Sequence, residues 1–128
     1  MIDTPTAVSP PAALTPAAAE RRRKMLSPVM MRGFFLAKLP LALFAGVRLR
    51  ELDAAHAVAT VPYGWRSTNP FRSTYFAALA MAAELSTGAL AMLAVDVAPR
   101  PVAMLITGMT ASFEKKATGL TSFTCAAG

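Results

Sequence analysis

Between Arg72 and Leu93 the chain reads RSTYFAALAMAAELSTGALAML, and a single carboxylate, Glu84, stands among apolar and small residues. A carboxylate can serve as a general base, a nucleophile or half of an ion pair. In a greasy helix an isolated ionised carboxylate costs several kcal/mol unless it is paired, hydrated or neutralised. The position therefore demands a reason. Other reactive side chains are few. His56 is the only histidine and Cys125 the only cysteine. A Ser-His-Asp or Cys-His device would have to use His56, which falls in a hairpin turn and reads as a solvent-facing turn residue. Cys125 excludes an intramolecular disulfide and an all-cysteine metal site, and reads as a small strand hydrophobe in a reducing compartment. No metal and no cofactor is expected.

The elements that must position Glu84 follow from pattern. Helix is expected to begin near Ser73 or Thr74, either of which can cap free backbone N–H groups, and to run to Gly88 or Leu93. Apolar nearly all round, it must be wrapped by protein or by lipid. Phe76 to Val95 formally has the ~20 residues that a bilayer span needs. Glu84 near its middle, Ser86, Thr87 and Gly88 beside it and its many alanines all weigh against a span. Before it, PYGWRSTNPFRST over residues 62–74 is a loop by its Pro, Gly, Asn-Pro and Ser/Thr content.

Further upstream, Val47 and Leu49 alternate with Arg48 and Arg50, and residues Ala57 to Val61 continue after the turn-like stretch Asp53 to His56, which predicts a β-hairpin with one wet face. After the helix, VAMLITGMTASFEKKATGLTSFTCAAG reads as two strands joined by a polar turn over Glu114 to Gly119. Residues 1–24 form a Pro/Ala-rich tail ending in the basic cluster Arg21 to Lys24, predicted to be disordered. The apolar stretch after it resembles a signal anchor, but Arg32, Lys38 and Pro40 interrupt it. An amphipathic helix or helix pair broken near Pro40 fits better.

With 128 residues the chain is the size of one domain, here residues 25–128. Its 55% apolar content and eight Met make it greasier than an average soluble protein, and its net charge of +6 favours anionic partners. Nucleic acid is not among the expected partners, because the basic residues are scattered and no groove-reading module is present.

The order of hairpin, long apolar helix and further antiparallel strands resembles the α+β hotdog fold of acyl-CoA thioesterases, in which a sheet wraps a helix. The resemblance is closest to the DUF4442 branch, related to the PaaI-like thioesterases, and covers Met25 to the end. It rests on GVRLRELDAAHAVATVPYGWRSTNPFRSTYFAALAMAAELSTG and ASFEKKATG. In the PaaI-like enzymes the helix opens with His-Gly-Gly and carries an acid nine residues after the His. Glu84 falls on that acid, Tyr75 on the His, and Phe76 and Ala77 on the two glycines, so two side chains stand where glycine has none. Asn69 matches an asparagine of the DUF4442 branch.

What the resemblance implies is a cytoplasmic protein, a homodimer or dimer of dimers, that binds an acyl-CoA or related thioester. Glu84 would be general base or nucleophile, and Asn69 and Tyr75 would orient water or the substrate carbonyl. Backbone N–H groups near Phe76 and Ala77 would hold the oxyanion, and Arg66, Arg72, Lys115 and Lys116 would meet coenzyme A phosphates. A non-catalytic acyl-binding or structural hotdog protein is the competing reading, and a small basic membrane-associated protein a third. No stable membrane insertion is expected. Hotdog domains supply at least one more strand after the one ending near Ala126, so a sheet lacking its last strand is expected.

Overall fold

The structure is a computed structural model that describes residues 13–96 and 98–126. Three short helices open it, α1 (Pro16–Leu26), α2 (Pro28–Lys38) and α3 (Pro40–Ala45). Each has a proline at its start, where the missing N–H is no loss and the fixed φ suits a helix. Thr15 caps α1 by accepting the Ala18 N–H at 3.2 Å. The tail expected over residues 1–24 therefore needs correction in its last third. Residues 1–12 lie outside the described residues, whereas from Pro16 the chain is helical and buries Ala18 and Met25 against Leu52, Ala57, Ala89 and Leu93. Two buried residues are too few to show as a periodic face.

The expected hairpin is present as β1 (Arg48–Leu52) and β2 (His56–Val61), antiparallel, with Asp53 accepting the Ala55 and His56 N–H groups across the turn. Arg50 is an extra residue between the Leu49↔Ala59 and Glu51↔Val58 pairs. This bulge shifts the alternation by one, so that Leu52 rather than Glu51 turns inward. β3 (Thr121–Ala126) pairs with the other side of β2, giving a three-stranded sheet in the order β1-β2-β3. Cys125 sits on β3, half-buried.

Across this sheet lies α4 (Phe76–Asp96), the long apolar helix, starting two or three residues beyond the expected Thr74 or Ser73. It buries Ala78, Leu79, Ala82, Ser86, Ala89 and Leu93, a stripe at three- and four-residue spacing that meets Val61 and Ala57 of β2. By length and composition α4 could cross a bilayer, but a third of its most apolar window is buried in the fold.

One expected element is absent. Residues 101–120 form no strand, so the first of the two strands predicted after the helix is corrected to an unpaired segment without regular structure. Among the described residues no backbone–backbone hydrogen bond joins 99–116 to another element, and the edge of β3 turned away from β2 pairs with no strand. The segment runs back along α4: Phe113 meets the ring of Phe76 edge-on at 5.4 Å, and the Ala117 carbonyl accepts the Thr74 N–H at 2.8 Å.

Candidate functional site

Glu84 is placed by the middle of α4, on the side opposite the stripe that packs on the sheet. It is exposed, contrary to the burial that its apolar neighbours suggest, because α4 is covered on one side only. Its side chain has no hydrogen bond or ion pair among the described residues; its carbonyl accepts the Thr87 hydroxyl at 3.0 Å. The carboxylate stands on the wall of a groove of about 830 Å³ between α4 and the N-terminal helices. Its apolar lining includes Met25, Met30, Met31, Met81, Met92 and Met104. Unbranched, polarisable methionines leave such a lining adaptable in shape. Charged groups mark the rim: Arg21 pairs with Asp96, Lys24 with Glu20 at 3.4 Å, and Lys38 has no carboxylate partner among the described residues.

The N-terminus of α4 is built by the preceding loop. Asn69 is fully engaged there. Its Oδ1 accepts the Phe71 N–H at 2.9 Å and the Ser73 N–H at 3.2 Å, while its Nδ2 donates to the Ser73 hydroxyl at 3.0 Å. This side-chain turn holds Arg72 at φ 58°, left-handed backbone that non-glycine residues adopt infrequently. Tyr75 follows, exposed, its N–H donating to the Ser67 carbonyl. The N–H groups of Phe76 and Ala77, first in the helix, have no acceptor among the described residues and form a positive pole.

The cations expected to meet phosphate divide into two groups. Arg72, Lys115 and Lys116 gather near the start of α4, where the Lys116 ammonium donates to the Phe71 carbonyl at 3.0 Å. Arg66 lies apart from them, its guanidinium 5.9 Å from the centre of the Phe44 ring on α3. Within one chain Glu84 and the free N–H groups are also apart. Eight residues of helix at 1.5 Å each put them about 12 Å from one another along the axis, too far to act on one carbonyl.

His56, the sole histidine, stays in the hairpin turn. Its Nδ1 is 2.7 Å from Asp53 and its Nε2 3.1 Å from Glu51, and the hydrogen bond to Glu51 raises its pKa above the usual 6.5. Among the described residues no three of His, Cys, Asp and Glu converge as a metal site would require. The groove itself was not legible in sequence, since α1 and α2 meet α4 only in the fold; the high methionine content was its one signal.

Residues 28–127 match the sequence profile of a domain of unknown function, DUF4442. No curated protein matches the chain significantly. Among solved structures, a protein of unknown function from Chlorobaculum tepidum superposes with a TM-score of 0.66 at 18% identity, over 81% of this chain and 66% of that one. A protein of unknown function from Pseudomonas aeruginosa, described as a probable thioesterase, gives 0.60 at 20% identity, over 82% and 69%. A structural-genomics target gives 0.63 at 20% identity, over 82% and 71%. The chain thus spans about two thirds of the length of these structures. What they share with it is the hotdog arrangement, an antiparallel sheet against one long helix.

Proposed function

The chain belongs to the DUF4442 family and has the hotdog fold, and on that premise we propose that it binds a fatty or aryl acyl thioester, such as an acyl-CoA, and hydrolyses it. The observation that carries this reading is the methionine-lined groove with Glu84, unpaired among the described residues, on its wall. An apolar groove of this size suits an acyl chain, and a carboxylate at its side can take a proton from water or attack the thioester carbonyl. The Phe76 and Ala77 N–H groups would receive the oxyanion. Tyr75, at the same helix end, would orient the carbonyl, and Asn69 would act by holding the loop. Arg72, Lys115 and Lys116 would meet the phosphates of coenzyme A.

The separation of about 12 Å between Glu84 and those N–H groups supports a site shared by two copies, each giving one half. Residues 101–113 supply a surface for such a homodimer. They form no regular structure, they have no backbone partner among the described residues, and they expose Leu105, Ile106 and Met109. Phe113 against Phe76 would bring the second copy beside the start of α4.

The test is release of free thiol from a panel of acyl-CoA thioesters. Glu84→Gln is expected to lower kcat about 10²–10⁴-fold and to leave substrate affinity nearly unchanged. Activity that survives Glu84→Ala in full would remove Glu84 from the mechanism. A second reading, an acyl-binding protein without turnover, is favoured by Tyr75-Phe76-Ala77, because side chains at 76 and 77 crowd the approach of a carbonyl to the N–H groups. Binding of acyl-CoA without thiol release decides for it.

A further inference from the structure

Helix α2 lies between the methionine groove and a second pocket, and its outward face is unlike that of a helix meeting water. Phe35 and Met31 turn inward to the core. At 100° per residue the opposite half carries Val29, Met30, Gly33, Leu36 and Ala37, with Val29 81% and Leu36 68% exposed. No charge interrupts this half; Arg32 stands at one border, and Lys38 ends the helix. The apolar surface continues onto α3 through Leu41 and Phe44, and to Trp65, which is 80% exposed and edge-on to Phe44 at 5.9 Å.

The second pocket, about 550 Å³, lies on the Arg32 side of α2, against β1. Arg32, Arg48, Arg50 and Arg66 line it, and no Asp or Glu does. None of the four has an ion-pair partner among the described residues; Arg50 donates to the Thr60 hydroxyl at 3.2 Å. The imbalance extends along the chain, since residues 21–50 contain eight Lys or Arg and no Asp or Glu.

We propose that the α2–α3 face docks on an anionic phospholipid bilayer, with α2 lying in the interface and a lipid phosphate received by the four-arginine pocket. The apolar half of α2 would enter the boundary between headgroups and acyl chains, as interfacial helices do. Arg32 at its border and Lys38 at the end of the helix would reach back to the headgroups along their apolar stems, and Trp65 would sit at the headgroup level. Charge decides the occupant. Two copies meeting through this face would oppose arginine to arginine, whereas an anionic surface neutralises them. A small soluble anion would account for the pocket but not for the apolar half beside it. Because the same helix borders the methionine groove, docking would set that groove at the membrane surface.

Flotation of the full chain with vesicles tests this, using phosphatidylcholine alone and phosphatidylcholine with phosphatidylglycerol. The bound fraction is expected to be about tenfold or more greater on the anionic vesicles and to fall as salt rises. Val29→Asp with Leu36→Asp is expected to abolish flotation while the circular-dichroism melt stays native, and Arg32→Glu with Arg48→Glu to remove the lipid preference. Should the aspartates unfold the chain, Leu36→Ser and Trp65→Ser read the same loss. No flotation, equal binding to both vesicles, or retention by the folded variants overturns the proposal. So does a lipid-free assembly that Val29→Asp with Leu36→Asp dissolves, or glycerol phosphate bound by a chain that does not float. None of these readouts uses thioester turnover, so docking and hydrolysis fail separately.

Discussion

Asn69 and Glu84 show two opposite fates of a polar side chain. The amide of Asn69 is consumed by its own loop, and its Oδ1 holds two backbone N–H groups that nothing else among the described residues accepts. Asn69→Ala is therefore expected to destabilise the fold by about 1–2 kcal/mol, read as a lower denaturation midpoint with an unchanged m-value. Glu84 has no such tie, so its replacement is expected to leave stability within about 0.5 kcal/mol. His56 makes a third case. Its pKa is raised by the Glu51 hydrogen bond and then by the Asp53 and Glu51 charges. The stabilisation it lends is complete below pH 6.5 and is lost as pH rises through its higher folded value. Asp53 works in the opposite sense: the Ala55 N–H holds its pKa below the usual 3.8, so its contribution is lost as pH falls through that lowered value. Glu51→Gln is expected to bring the ring titration of His56, followed by NMR, back toward 6.5.

At the scale of elements, the turn from α3 into β1 depends on Gly46. It adopts φ 83°, and a Cβ there would stand 2.9 Å from the Pro62 ring. Gly46→Ala is expected to destabilise by about 1–2 kcal/mol from the left-handed backbone, with the Pro62 contact adding to it. Gly88, inside α4, would meet nothing within 4 Å, so Gly88→Ala is expected to stabilise by about 0.5–1 kcal/mol. Parallel denaturation curves of the two variants check both signs. Periodicity revealed the hairpin, the long helix and the break at Pro40, because each carries its pattern locally. It did not reveal the bulge at Arg50, which needs the partner strand to be defined, or α1, whose contacts come from β1 and α4.

For the whole molecule, the open question is what pairs with residues 101–113. Exposed apolar chain whose backbone has no partner among the described residues favours association. Leu105→Asp with Ile106→Asp is expected to convert the proposed dimer to monomer in light scattering, with the helical circular dichroism kept. An unchanged monomer mass in both proteins would remove the shared site. The residue pattern alone determined the order of hairpin, helix and strand, and the spacing that sets Glu84 nine residues after Tyr75. Both are properties of spacing along the chain. Only the tertiary structure decided that α4 is covered on one side, leaving Glu84 exposed on a methionine groove. It alone also decided that four arginines from α2, β1 and the loop after β2 gather on one pocket. Burial and charge clustering depend on which elements pack together, and that is decided by contacts distant in sequence.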